Sequence, residues 1–271
     1  MEKRTTRKPS AVKLPKLVLA ALAASGAMAA TNAAAQAAPA APAPTPTPEH
    51  TLATKVSVYS EYEYRGITQT SEKPALQLNL DYSHASGFYA GAFLTNIKWL
   101  KDTGKAGGFK AEGDLELDLF AGYKFELVKD VTMDLGYLHY EYPSNSGFNP
   151  KPNTDELYVG LSGGPFSAKY SYSTSTLFGV PSSKGSTFFE LNWAQEVMPK
   201  LTLNAQVARQ SVKKNSPLTY TVYKAGATYD LGDGWATGAY YKTTNAVEAN
   251  YTYVGKDWSK GRLVAFVSKS F

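Results

Sequence analysis

Charged side chains in this 271-residue sequence recur at spacings of two inside otherwise apolar stretches. Between positions 114 and 125, Asp114, Glu116, Asp118 and Lys124 occupy one parity, while Leu115, Leu117, Leu119, Ala121, Tyr123 and Phe125 occupy the other. Following that parity along the chain collects Glu61, Glu63, Arg65, Asp81, Glu116, Asp118, Lys124, Asp134, Glu156, Lys169, Glu190, Lys224 and Lys242. The chemistry open to such a set is electrostatic: a wall of fixed charge presented to ions and polar solutes. No D-x-D-x-D-G loop or H-x-x-x-H pair is present, so no metal site is expected. The chain has no cysteine, which excludes disulfides, thiolate metal ligands and a lipid anchor through an N-terminal cysteine. No cofactor is expected either.

Covalent or acid–base catalysis needs a nucleophile or an activated water with a positioned base. The sequence offers three histidines, His50, His84 and His139, and no G-x-S-x-G element. His50 lies in a proline-rich tract, His84 borders a tight turn and His139 falls near the end of an alternating segment. A hydrolase is therefore the least favoured class.

Alternation of period two is the mark of a strand with one apolar and one polar face; on a helix the same leucines would wrap around the whole surface. Leu76, Leu78, Leu80 and Tyr82 alternate with Gln77, Asn79, Asp81 and Ser83, and Val131, Met133, Leu135 and Tyr137 alternate with Thr132, Asp134 and Gly136. Twelve strands are expected, starting near Thr54, Ala75, Phe88, Asp114, Val131, Asp155, Phe166, Ser186, Leu201, Thr219, Trp235 and Arg262. Twelve is even, as a single-chain bacterial barrel requires. The connections fall into two alternating classes. Tight turns such as His84-Ala85-Ser86-Gly87 and Gly163-Gly164-Pro165 alternate with long polar ones such as 101–113, 143–154 and 245–261. Short turns at one rim and long loops at the other point to an all-β, antiparallel, up-and-down transmembrane barrel. Aromatic residues collect at both ends of the strands, Tyr82, Phe88, Tyr123 and Trp235 beside short turns, Tyr62, Tyr64, Trp99 and Tyr142 towards long loops.

Ahead of these strands lies a basic stretch, Lys3 to Lys16, and an apolar run from Leu17 to Ala30 that is too short to span a bilayer. With candidate cleavage sites at Ala27-Met28-Ala29 and Ala35-Gln36-Ala37, residues 1–37 are expected to be a signal peptide. Residues 38–50, rich in proline and alanine, read as a linker, and 51–271 as the barrel. The sequence carries 28 Lys+Arg against 23 Asp+Glu, yet six of those bases and one acid belong to residues 1–16. The remainder is formally neutral, which removes any argument for a nucleic-acid partner.

The segment from Ser57 to Trp99 carries Tyr64-Arg65-Gly66, Thr68-Gln69-Thr70, Pro74-Ala75, Asp81-Tyr82 and Gly87-Phe88-Tyr89-x-Gly91. In these it resembles the start of the TorF-type porins, a proteobacterial family once filed as conserved hypothetical. The rest resembles the family in length, in alternation and in the closing Ser-Lys-Ser-Phe, where a final Phe271 is similar to the assembly signal of outer-membrane barrels and Lys269 departs from it. The resemblance implies an outer-membrane location and a pore, and brings no catalytic or ligand residues. Expected partners are outer-membrane lipid and lipopolysaccharide, the barrel-assembly machinery during biogenesis, and small solutes or ions.

Two readings of the lumen stay open: a wet channel, or a narrow barrel filled by its own charges. Arg65 is expected to latch onto lumen acids, ahead of binding a solute. Nine acids (Glu61, Glu63, Asp81, Asp114, Glu116, Asp118, Asp134, Glu156, Glu190) face five bases (Arg65, Lys124, Lys169, Lys224, Lys242) on the inner parity, so a small passive channel of weak cation preference is expected. Lysines 101, 105, 110, 213 and 214 in the loops are the counterweight to that preference. The alternative is a structural or adhesin-like barrel acting through its loops, above all 245–261 with Tyr251, Tyr253 and Trp258.

Overall fold

Alternation of apolar and polar residues does produce strands here, and they close on themselves. The structure is a computed structural model that describes residues 48–271; the expected signal peptide and residues 38–47 of the expected linker lie outside the described residues. The chain runs through β1 (His50–Tyr59), β2 (Glu63–Tyr64), β3 (Ile67–Thr68), β4 (Ala75–His84), β5 (Phe88–Asn96), α1 (Trp99–Gly107), β6 (Leu115–Val128), β7 (Val131–Glu141) and β8 (Thr154–Gly163). It continues through β9 (Phe166–Ser173), β10 (Thr187–Met198), β11 (Leu201–Ser211), β12 (Tyr220–Gly232), β13 (Trp235–Thr244), α2 (Glu248–Tyr251), β14 (Thr252–Tyr253), β15 (Lys256–Asp257) and β16 (Arg262–Ser270).

Twelve of the strands form a closed antiparallel barrel in the order β1-β4-β5-β6-β7-β8-β9-β10-β11-β12-β13-β16, with β16 pairing back onto β1 from Lys55↔Ser270 to Tyr59↔Phe266. Eleven begin within a residue of the position expected from sequence, and β1 begins four residues earlier, at His50. Closure removes every unpaired barrel edge. At the tight-turn rim the register shifts between Glu126 and Val128, between Glu196 and Met198 and between Asp230 and Gly232, each just before a turn. These bulges add local twist where a strand must reverse.

The two faces differ as the parity requires. Leu76, Leu80, Leu119, Leu135, Leu157 and Leu191 stand exposed on the outside, whereas Ser57, Gln77, Glu116, Glu156, Lys224 and Lys242 are buried inside. This is the reverse of a soluble barrel. Inside, small residues alternate with large ones: a Cβ at Gly136 would lie 2.3 Å from the Tyr158 ring, so glycine there is what lets the tyrosine lie across the wall. The five tight turns and the start of β1 share one rim, and the six long connections share the other.

Candidate functional site

The first strand ends at Tyr59, short of the charged residues that continue its alternation in the sequence. Instead of lengthening β1, Glu61, Glu63 and Arg65 belong to a loop that folds back into the barrel mouth, where β2 and β3 pair as a miniature hairpin (Glu63↔Thr68, Tyr64↔Ile67). The two residues between them, Arg65 at φ 49° and Gly66 at φ 83°, are both left-handed, as a type I′ turn demands. Gly66 also meets the far wall: a Cβ there would come within 2.6 Å of Thr244 Cγ2 and 3.0 Å of Val222 Cγ1. Gly66 is thus the tip of an inserted hairpin.

The hairpin is fixed to strands on all sides of the lumen. Arg65 Nη2 donates to Glu156 Oε2 on β8 at 2.7 Å, and its Nη1 donates to Gln210 Oε1 on β11 at 2.8 Å. Its guanidinium lies over the rings of Phe188 at 4.3 Å and Tyr64 at 4.8 Å. Glu63 pairs with Lys224 on β12 and, through Oε2, accepts the Gly66 N–H at 2.7 Å. Lys242 on β13 donates to the Gly66 carbonyl at 2.9 Å, and Tyr62 donates to Glu116 on β6 at 2.6 Å. Tyr64 and Tyr140 share a hydrogen bond between hydroxyls, and Arg262 on β16 reaches Glu61 at 3.4 Å. These charged groups are at most 16 % exposed. Asp118 is buried beside Glu116, and its Oδ1 has no hydrogen-bond partner among the described residues.

Towards the tight-turn rim the same inward parity looks different. Lys124 faces Asp134 at 3.8 Å and Lys169 faces Glu190 at 3.4 Å, with these four side chains 15–24 % exposed. Asp81 is half-buried between them and β1. All thirteen charges singled out in the sequence thus lie on the inner side, but in two groups, one clamped on the hairpin and one along an accessible wall. Two inward bases were missed, Lys55 on β1 and Arg262 on β16; counting parity along those strands would have found both. Asp114, counted inward from sequence, sits in the loop before β6 and pairs with exposed Lys101 at 2.9 Å. Adding Lys55 and Arg262 to the thirteen gives eight acids to seven bases, a smaller excess than the sequence count gives.

Above the hairpin, the six long connections and strand ends enclose a cavity of about 770 Å³. Ten of its lining residues are aromatic and one, Arg65, is charged. Tyr253 stacks on Trp258 at 4.2 Å, Tyr251 meets Tyr220 at 5.3 Å, and Trp99 meets Tyr142 edge-on at 5.2 Å. Burial pushes the phenols of Tyr251 and Tyr253 up, so both stay neutral at physiological pH. The aromatic residues of 245–261 thus turn towards this cavity.

The histidines sit in local hydrogen-bonded groupings: His84 Nδ1 lies 2.7 Å from Ser86 Oγ within one exposed tight turn. His139 is held between Asp155 at 2.8 Å and Glu141 at 3.1 Å. At the tight-turn rim His50 and His84 face each other across β1 and β4, with Glu49 Oε1 3.4 Å from His84 Nε2. That trio has the side chains for a metal, a grouping that strand register alone reveals. However, His84 Nδ1 accepts the Ser86 N–H at 3.1 Å, which leaves the proton of the neutral ring on Nε2, facing Glu49, where a metal would need a lone pair. The cluster as built is a hydrogen-bonded turn.

Residues 43–271 match a family described as bacterial protein of unknown function (Gcw_chp). No curated protein matches the chain in sequence. Among solved structures, the NanC porin is similar with a TM-score of 0.53 at 14 % identity, over 82 % of this chain and 99 % of that one. The KdgM porin is similar with a TM-score of 0.51 at 8 % identity, over 81 % of this chain and 98 % of that one. KdgM in complex with disordered oligogalacturonate gives 0.50 at 9 % identity, over the same shares. At such identities the likeness is one of fold.

Proposed function

The chain belongs to the Gcw_chp family, and we propose that it is an outer-membrane porin, a passive channel for small solutes whose bore is constricted by the inserted hairpin. The observation that carries this reading is the inside-out barrel: an apolar exterior enclosing an interior lined by acids and bases in nearly equal number. Exposing that exterior to water would leave a continuous apolar belt, and placing the inner charges against lipid would cost roughly 2–4 kcal/mol for each Arg or Lys at mid-depth. The likeness to KdgM and NanC, and the resemblance to TorF-type porins, support the same reading. That one KdgM structure holds oligogalacturonate supports small solutes as cargo. In this reading residues 1–37 are the export signal, 38–50 a linker, and lipid, lipopolysaccharide and the assembly machinery the surroundings of the barrel.

In this reading the channel is weakly cation-selective, on the small excess of inward acids over inward bases. The adhesin alternative loses its main support, since Tyr251, Tyr253 and Trp258 face the cavity. Planar-bilayer recording of the refolded protein tests the proposal. Discrete conductance steps are expected, and a protein that inserts without conducting any ion overturns it.

A further inference from the structure

The cavity above the hairpin has a composition unlike the channel wall below it, and that composition selects a ligand. It is assembled from all six long connections, so its aromatic walls come together only in the closed barrel. Its volume of about 770 Å³ lies within the roughly 300–1,000 Å³ of small-molecule sites, which are likewise mostly apolar with a few placed polar groups.

Two of its wall residues have unmet hydrogen-bonding needs. The indoles of Trp99 and Trp258 are 9 % and 4 % exposed, and neither Nε1–H has an acceptor among the described residues. A buried donor without a partner is costly, so a ligand oxygen that reaches either indole, in α1 or after β15, relieves that cost once the ring turns its N–H to the cavity. Around these donors the rings of Tyr142, Phe148, Tyr220 and Tyr253 offer flat faces and edges. Ring faces bind the C–H side of a sugar, and indole N–H groups bind its hydroxyl and ether oxygens.

Charge excludes the obvious rivals. The one ionic group at the floor, Arg65, already has both arms engaged by Glu156 and Gln210, and an acidic ligand would have to displace that buried pair. A purely apolar ligand would leave both indole donors unsatisfied.

We propose that this vestibule is a binding site for a neutral saccharide of one or two rings, held above the hairpin before passage. The proposal rests on the porin reading, because the site faces the mouth of the same lumen. Passage then requires the sugar to move past Tyr64 and Arg65, so a bound sugar obstructs ion flow.

The protein carries four tryptophans, and the two outside the cavity, Trp193 and Trp235, lie on strands of the barrel wall. In a Trp193→Phe/Trp235→Phe background, fluorescence therefore reports the vestibule alone. Maltose, glucose, galacturonate and p-cresol are titrated in detergent, and maltose is then added to single channels in a bilayer. Maltose is expected to shift the emission and block conductance, and Trp258→Phe or Trp99→Phe to weaken its binding about five- to tenfold, the loss of one hydrogen bond. Unboiled and boiled gel mobility confirms that each variant is folded, and either one suffices. Absence of any response to both sugars, tighter binding of galacturonate or p-cresol, or equal maltose affinity in a folded variant overturns the proposal. A barrel that conducts but ignores sugars removes the saccharide site and keeps the porin; one that binds maltose yet never conducts removes the porin.

Discussion

The two halves of the lumen are built from the same alternation and behave as different materials. Near the tight turns, Lys124, Asp134, Lys169 and Glu190 face one another across 3.4–3.8 Å with partial exposure, an arrangement that water can enter. Near the long loops, Arg65, Glu156, Glu63 and Lys224 are at most 5 % exposed and are joined by direct ionic hydrogen bonds. The difference lies in what occupies the space they point into. Where the lumen holds only side chains, inward charge forms a wall; where a hairpin enters it, the same kind of charge becomes a clamp. Salt bridges in the two halves should accordingly differ in worth by several-fold, since the cost of stripping water from an ion is recovered only through its partner.

The sharpest break in that comparison is Arg65→Ala. It leaves Glu156 buried and unpaired, and should destabilise the barrel by about 3–5 kcal/mol, read from the denaturant midpoint of the refolded protein. A loss under 1 kcal/mol would mean that the clamp is not one. A change on the outer face comes next. Leu135→Arg should cost about 2–4 kcal/mol and prevent assembly into lipid, whereas Asp134→Lys on the adjacent inward position should still assemble. Equal assembly of the two would show that inside and outside have been exchanged.

In the accessible half, Lys169→Ala should lower stability by no more than about 1 kcal/mol, because Glu190 keeps contact with water and with Gln206 at 2.9 Å. The smallest effect is on selectivity. Neutralising the accessible wall acids with Asp134→Asn and Glu190→Gln should move the reversal potential in a KCl gradient towards zero, and raising the salt should have the same effect on the unmutated protein, since the Debye length falls to about 3 Å at 1 M. An anion preference at low salt would transfer control to the loop lysines.

The barrel was legible because its strands are long: ten or so residues of strict alternation identify β4, β6 and β7 unaided, and tight turns set their ends. The inner parity was legible for the same reason. The hairpin was not, because β2 and β3 have two residues each and no alternation to detect, so Glu61 to Arg65 read as more of β1. The one local signal was Arg65-Gly66 between β-forming neighbours, a two-residue turn with glycine in second place. The vestibule was beyond reach for another reason. Trp99, Tyr142, Tyr220 and Trp258 belong to different connections and strand ends, and only closure of the barrel brings them to one mouth.

In the proposed porin the hairpin is what constricts the channel. Replacing residues 61–70 with a short Gly/Ser linker removes it while leaving the twelve barrel strands intact. Single-channel recording of this variant, confirmed as folded by its gel mobility, should show conductance steps several-fold larger than those of the unmutated barrel. Steps of unchanged size from the folded variant would contradict the account, and would place the constriction in the wall itself.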